Sequence, residues 1–258
     1  MSRRRRARPE PPPAAPADPQ VPLFEMLPAF EEEGVPRFEP GPVARTVLDE
    51  HSGPGEQCRL LGTRLRALGR DKRLRRIGVV GSSPGEGSTT VALGLARALS
   101  HDRHGRVLLL ELDVRHPALD EELGLAPPAV GLRQYLAGKC DVPVLRRSRP
   151  AGFWVLSAGG GPASREPVTS SARLAALLRA TDRVFDYVVA DCPPLLAEAE
   201  GVSLQDHLDG FVFVVRSRRA PRETIQRAAA LLKPGLIVGL VLNAQRDILP
   251  RRGRRVSA

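Results

Sequence analysis

The stretch 77–99 constrains the fold of this chain more than any other part of the sequence. An apolar run at 77–81 leads into the glycine-rich sequence Ser-Ser-Pro-Gly-Glu-Gly-Ser-Thr-Thr at 82–90, and an amphipathic stretch follows from Val91. A strand, a glycine-rich loop and a helix in this order let backbone N–H groups converge on a phosphate. An ordinary strand–helix turn of small residues is the alternative, but both flanks favour the phosphate-binding loop.

This loop lacks the lysine of the phosphate-binding pattern. Gly87 is followed by Ser88 and Thr89, where the pattern asks for Gly, Lys and then Ser or Thr. Thr89 occupies the position of the pattern whose hydroxyl group ligates Mg²⁺. The helix that follows directs the positive end of its dipole at the phosphate. Losing one group that stabilises charge on a transferred phosphate typically lowers the rate roughly 100- to 1,000-fold. We therefore predict a loop that binds nucleotide more readily than it turns it over.

Strand-like and helical patterns alternate along the rest of the chain. Several strand-like runs are continuous in Val, Leu and Ile, which is typical of strands buried on both faces. The alternation predicts an α/β fold, a doubly wound, mostly parallel sheet flanked by helices. The predicted strands are 76–80, 107–112, 153–157, 187–191, 211–216 and 236–243, and the predicted helices are 56–68, 88–100, 168–181 and 221–232.

Two predicted strands deliver carboxylates at their carboxyl ends, the edge where open α/β sheets bind ligands. Glu111, Asp113 and Arg115 follow one apolar run, and alternation would place all three on one face, towards a metal–phosphate complex. Asp191 ends another run and stands where P-loop proteins hold Mg²⁺. Each site alone could be a turn cap. Together with the loop they predict a magnesium–nucleotide site.

The formal charge of +10 lies mostly at the two ends of the chain. Five arginines and one glutamate within residues 1–10, and four arginines within 251–258, account for eight of the ten charges. The middle is close to neutral, so no nucleic-acid surface is indicated for the whole chain. The basic ends suit an anionic membrane surface, an acidic protein or RNA, and solvated tails are an equal alternative.

Composition divides the chain into three parts. We predict a disordered proline- and arginine-rich leader at 1–50, a globular domain at 51–247 and a basic tail at 248–258. An apolar island at 21–30 is more typical of a linker than of a docking motif. The three cysteines fit neither a zinc knuckle nor a disulfide framework. Their odd number suits a reducing cytoplasm, so we expect a cytoplasmic protein. No apolar run reaches the ~20 residues that span a bilayer, so we expect any membrane association to be peripheral or through a partner.

Six stretches between residues 55 and 245 form an ordered set of motifs. They are Pro-Gly-Glu-Gly-Ser-Thr-Thr at 84–90, Glu-Leu-Asp-Val-Arg-His-Pro at 111–117, Gly-Leu-Arg-Gln-Tyr-Leu-Ala-Gly at 131–138, the strand 185–194 that ends in Asp-Cys-Pro-Pro, and the last core strands at 209–216 and 241–243. As a set they resemble the bacterial tyrosine kinases of capsule and exopolysaccharide biosynthesis, the CpsD/CapB type. These kinases are relatives of the MinD/ParA P-loop ATPases.

The resemblance implies ATP and Mg²⁺ as cofactors and assigns residues to them. The implied metal ligands are Thr89, Asp113 and Asp191, and the implied catalytic residues are Asp113, Glu111 and Arg115. The implied nucleotide-binding residues are Pro84, Gly85, Glu86, Gly87, Ser88, Thr89, Thr90 and Asn243, of which Asn243 would contact adenine. The resemblance also implies a membrane chain-length-determinant (polysaccharide co-polymerase) partner, a homo-oligomer, and a location at the inner face of the membrane.

The sequence departs from the family at three places. Ser88 replaces the lysine, and Gly62 replaces the last arginine of the family's Glu-x-x-Arg-x-x-Arg oligomerisation helix. The only tyrosines, Tyr135 and Tyr187, fall in predicted structured elements, so we expect no autophosphorylation of a tyrosine-rich tail. These departures favour a kinase-like regulator with weak or no phosphotransfer, a pseudokinase. The alternatives are an active tyrosine kinase, with Arg115 or a partner residue replacing the lysine, and a MinD/ParA-like positioning ATPase.

Overall fold

The computed structural model describes residues 39–101, 105–147, 152–161 and 172–244. Within this part, seven strands form one sheet. The strands are β1 Arg76–Gly81, β2 Val107–Glu111, β3 Arg146–Arg147, β4 Trp154–Leu156, β5 Tyr187–Asp191, β6 Gly210–Arg216 and β7 Ile237–Asn243. Their order is β3-β4-β2-β5-β1-β6-β7, and every pairing is parallel except that of β3 with β4. The predicted fold class is confirmed.

Helices cover both faces of this sheet. They are α1 Pro42–Leu48, α2 Gly53–Lys72, α3 Ser88–Ser100, α4 Leu119–Glu122, α5 Leu132–Leu136, α6 Ala172–Thr181, α7 Ala199–Ser203 and α8 Arg222–Ala229, with a 3₁₀ turn at Leu204–Asp206. None of the helices in the described ranges is both long and apolar enough to cross a bilayer.

The central strands separate two apolar layers. In β2, Leu109 lies in the layer that includes α1, α2 and α3, whereas Leu108 and Leu110 lie in the layer that includes α6 and α8. All three leucines are fully buried. Burial on both faces explains why this strand is a continuous apolar run instead of an alternating one.

Most predicted elements are found within one to four residues of their predicted ends. Helix α3 and strand β5 have the predicted limits, and the predicted helix 168–181 begins at Ala172 in the described part of the chain. Strand β3 was missed because two arginines carry no strand pattern. The strand predicted before the glycine-rich loop is confirmed as β1. The loop 82–88 therefore lies at the carboxyl edge of the sheet.

The predicted leader ends too late. Helix α1 lies inside the predicted leader 1–50, and its residues Ala44 and Val47 are buried in the core. The sequence did not predict this helix because prolines are frequent in this part of the chain. Pro42 nevertheless fits the first turn of the helix, where a backbone N–H has no partner within the helix, so its absence does not destabilise the helix. Residues 1–38 and 245–258, which include the apolar island 21–30 and the basic tail, lie outside the described residues, so the rest of the domain division stays a prediction.

Candidate nucleotide-binding site

The loop between β1 and α3 has the backbone conformation of an anion site. Gly85 and Gly87 have φ angles of +78° and +91°, which residues with a Cβ rarely adopt. Helix α3 begins at Ser88 with Gly87 as its N-cap, a residue that has no side chain to cap the first N–H groups of the helix. Those groups and the positive end of the helix dipole are therefore free to receive an anion.

Glu86 braces the loop from inside. This side chain is 2% exposed, and its carboxylate accepts hydrogen bonds from the Ser82 backbone N–H at 2.7 Å and the Ser82 hydroxyl at 2.6 Å. Asn243 holds the loop from outside, since its Nδ2 donates to the Glu86 carbonyl at 2.9 Å. Both residues were predicted to bind nucleotide, and the structure places both against the loop. Their observed contacts are with the loop itself.

Asp191 and Thr89 meet at the centre of the carboxyl edge. The Asp191 carboxylate is hydrogen-bonded to the Thr89 side chain, and burial raises its pKa well above the ordinary value, with the charges of Glu111 and Asp113 adding to the rise. The Asp191 carbonyl accepts from the backbone N–H groups of Leu112 and Asp113 at 2.8 and 3.2 Å. The ends of β2 and β5 and the start of α3 thus converge.

The donor set at this point fits a magnesium ion. Asp191 Oδ1 is buried without a hydrogen-bond partner among the described residues, although buried carboxylate oxygens normally have one. Mg²⁺ prefers carboxylate, hydroxyl and water oxygens, and Asp191 and Thr89 offer two of these side by side. Of the three predicted metal ligands, these two share a direct contact, and Asp113 joins them through its backbone.

Asp113 lies in a small group of titratable side chains. Its Oδ1 accepts from the His116 backbone N–H at 3.0 Å, and burial raises its pKa. Ligand atoms of Asp113, His116 and Glu198 lie within 4.8 Å of one another. Sequence reading did not single out His116 or Glu198, because neither stands at a strand end.

Glu111 occupies a different environment from the one predicted. Its side chain is fully buried. One carboxylate oxygen accepts from the N–H groups of Ala118 and Leu119 at 2.6 and 2.8 Å, and the other accepts from Ala158 at 2.7 Å. The expected common face with Asp113 and Arg115 is wrong, because β2 ends at Glu111 and strand alternation stops there. Glu111 fastens two loops to the end of β2.

Arg115 is paired with carboxylates on the segment after β5. Its guanidinium donates to Glu200 at 3.1 Å and lies 3.7 Å from Glu198. Both glutamate side chains are 8% exposed. Its charge is therefore largely matched by two buried acids, which leaves it poorly suited to replace the missing lysine.

Two other arginines lie at the loop, and sequence reading missed both. Arg216, the last residue of β6, donates to the Gly85 carbonyl at 2.9 Å, and Arg219 donates to the same oxygen at 3.3 Å. The available signal was the position of Arg216 at the carboxyl end of a strand. That signal becomes informative only once β6 is known to lie beside β1.

The sheet order, the loop after β1 and the carboxylate at the end of β5 together define a P-loop NTPase fold. The cell division ATPase MinD of Pyrococcus furiosus superposes on it with a TM-score of 0.52 at 26% identity, covering 65% of this chain and 71% of MinD. The kinase domain of the Escherichia coli tyrosine kinase ETK superposes with a TM-score of 0.70 at 22% identity, covering 89% and 91%.

The sequence comparisons identify relatives of this chain within the P-loop NTPase fold. Tyrosine-protein kinase YwqD of Bacillus subtilis is 27% identical over 194 residues, which cover 74% of this chain and 81% of YwqD. Tyrosine-protein kinase CpsD of Streptococcus agalactiae is 22% identical over 191 residues, covering 73% and 82%. No family model matches the chain. The chain is a relative of the bacterial tyrosine kinases of the CpsD type, with a degenerate phosphate-binding loop, and the predicted resemblance is confirmed.

Proposed function

We propose that this chain is a cytoplasmic, tyrosine-kinase-like P-loop protein of capsule or exopolysaccharide biosynthesis. It binds ATP with Mg²⁺, transfers phosphate weakly or not at all, and regulates a membrane machine that sets polysaccharide chain length and export. Its partner would be a polysaccharide co-polymerase at the inner face of the membrane, with the arginine-rich ends touching anionic lipid.

One observation carries the proposal: Ser88 stands at the lysine position in a loop that is otherwise fully assembled. The two glycines have their left-handed conformation, Thr89 contacts Asp191, and Asp113 adjoins them. Mg²⁺, when bound, neutralises charge on the β- and γ-phosphates. The loop N–H groups, Thr89 and Asp191 can hold such a complex, but no lysine follows Gly87 to stabilise charge during transfer.

The active-kinase alternative loses Arg115, the residue of this chain that the sequence suggested for the lysine's role. Arg115 was one proposed substitute for the lysine, and its guanidinium is engaged by Glu198 and Glu200. Another residue at the loop, or a residue of a partner, would then have to supply the charge during transfer. We therefore favour nucleotide binding over turnover.

The helix that corresponds to the family's oligomerisation helix also favours a regulator, because the arginine that would end the family's pattern is replaced by Gly62. Gly62 on α2 is buried, and a Cβ there would lie 3.1 Å from the Ala98 Cβ on α3. A side chain at position 62 would therefore crowd α3 at Ala98. Glu56 and Arg59 are exposed and pair with each other at 3.8 Å.

Calorimetric titration with ATP and Mg²⁺ tests the binding half of the proposal. We expect saturable binding by the wild-type chain and tighter binding by Ser88→Lys, because the added charge would lie at the phosphates. Ser83→Lys, in the same loop but outside the lysine position, is the matched control and should give a smaller gain. Absence of binding by both the wild type and Ser88→Lys would refute a nucleotide site here.

A kinase assay tests the other half. The chain is incubated with labelled ATP and Mg²⁺, with and without the cytoplasmic segment of a co-polymerase, and phosphotyrosine is measured. We expect little or none from the wild type. Phosphotyrosine that appears with the wild type and vanishes in Asp113→Ala would establish an active kinase instead.

A further inference from the structure

Two arginines from outside the loop converge on its tip. The guanidinium groups of Arg216 and Arg219 both donate to the carbonyl of Gly85. A Cβ built on Gly85 would lie 3.1 Å from Arg219 Nη1 and 3.3 Å from its Nη2. The arginines therefore cover the loop closely at a residue that has no side chain. A guanidinium has five N–H donors, so one bond to a carbonyl leaves donors on each group for another acceptor.

The backbone holds the turn that carries them in one conformation. The Ser217 N–H donates to the Asn243 carbonyl at 2.9 Å, and the Arg219 N–H donates to the Arg216 carbonyl at 3.3 Å. Arg218, between them, has a φ of +61°, a left-handed conformation that costs a non-glycine residue free energy. The same Asn243 reaches the loop at Glu86. The turn and the loop are thus joined at two neighbouring residues of the loop.

The observed partner of both guanidinium groups is a backbone carbonyl. In the described part of the chain, neither guanidinium pairs with a carboxylate, and the Gly85 carbonyl is the acceptor of both. Arg115 contrasts with them, because two buried glutamates surround its guanidinium. Arg216 and Arg219 are exposed and positively charged beside the N–H groups of the loop. They therefore offer a second set of hydrogen-bond donors for an anion.

We propose that Arg216 and Arg219 bind the phosphates of the nucleotide and supply the positive charge that Ser88 cannot. The proposal rests on the proposed function, since it concerns the same loop and the same ligand class. Arginine suits this role because its planar fork binds phosphate oxygens in pairs while its charge is permanent. The charge reaches the loop from β6, on the side opposite to Asp113 and Asp191.

The test measures the affinities of ATP, ADP and AMP, each with Mg²⁺, for the wild type and for the double variant Arg216→Gln/Arg219→Gln. We expect the double variant to bind ATP about tenfold more weakly, the effect of losing roughly one charge-assisted hydrogen bond. The loss should shrink from ATP to ADP to AMP as the number of phosphates falls. Arg218→Gln removes a charge from the same turn without a contact to the loop and should bind like the wild type.

A second measurement separates phosphate binding from mere support of the loop. Ser88→Lys is introduced into the wild type and into the double variant. If the arginines supply the missing charge, the added lysine should improve ATP affinity more in the double variant than in the wild type. Equal gains in both backgrounds, or an equal loss of affinity for all three nucleotides, would show that the arginines only brace Gly85.

The outcomes distinguish this inference from the function on which it rests. Wild-type binding of ATP that the double variant retains in full overturns the role of the arginines and leaves the nucleotide site standing. No ATP binding by the wild type overturns both. Circular dichroism and the urea midpoint of each variant, compared with those of Arg218→Gln, show whether a lost affinity reflects a lost fold.

Discussion

The two sides of the phosphate-binding loop have opposite chemistry. On the side of β2 and β5, Asp113 and Asp191 gather negative charge that burial makes costly, and their pKa values are raised. On the side of β6, Arg216 and Arg219 remain exposed and positive at the Gly85 carbonyl. A magnesium–nucleotide complex needs carboxylates for its metal and cations for its phosphates. The phosphate-binding loop lies between the two carboxylates and the two arginines.

The comparison also shows that a residue's place after a strand does not decide its role. Arg115 and Arg216 both stand at or just beyond the carboxyl end of a parallel strand. Arg115 meets Glu198 and Glu200, whereas Arg216 meets a backbone carbonyl of the loop. The neighbours that the fold supplies decide which of the two charges is available to a ligand.

The largest effect should come from Glu111→Ala on the acidic side. This change leaves three N–H groups without an acceptor, two of them buried, and we expect the free energy of unfolding to fall by about 3 kcal/mol. Urea denaturation measures it. Glu111→Gln keeps the shape and one acceptor oxygen and should cost less. Normal stability of Glu111→Ala would contradict this structural role of Glu111.

Gly87→Ala probes the junction of the two sides. The new Cβ would lie 2.1 Å from Asn243 Nδ2, so Asn243 must rotate away and release the Glu86 carbonyl. Together with the left-handed φ, this should cost about 2 kcal/mol of unfolding free energy. Gly138→Ala is the control, because Gly138 has a φ of +69° and open space around it. Equal losses in the two variants would mean that Asn243 does not hold the loop.

Asp191→Asn tests the metal side. Removing this charge should abolish most of the gain in ATP affinity that Mg²⁺ provides, a change of about tenfold or about 1.4 kcal/mol. Calorimetry with and without Mg²⁺ measures that gain. Asp206→Asn, at an exposed carboxylate paired with Lys233, should retain it. An unchanged magnesium dependence in Asp191→Asn would remove Asp191 from the metal site.

Stability should also depend on pH through Asp191. Burial raises the pKa of Asp191 in the folded chain above the ordinary value of 3.8, so the unfolded chain releases this proton at a lower pH. The stabilisation is present below pH 3.8 and is lost as the pH rises through the folded pKa. Relative to Asp191→Asn, the wild type should therefore lose unfolding free energy as the pH rises. Parallel curves for the two proteins, from urea denaturation at several pH values, would contradict this prediction.

Two residues of the candidate site could be singled out from local motifs, Thr89 just after the glycine-rich loop and Asp191 at the end of a strand. The structure brings these two residues into contact, and their role as Mg²⁺ ligands stays a prediction. Glu111 could not be assigned in this way, because its role depends on N–H groups of Ala118, Leu119 and Ala158. Those groups belong to loops whose course no periodic pattern specifies.

The sequence by itself determined the fold class, the loop and the missing lysine, because apolar periodicity and local motifs act over a few residues. The tertiary structure alone decided which charges reach the loop. Arg216 and Gly85 are 131 residues apart in the chain, and they meet because β6 pairs with β1. Pairing between distant strands also places Arg115 beside two glutamates and Arg216 at the phosphate-binding loop. This difference between the two arginines cannot be predicted from residue type and spacing.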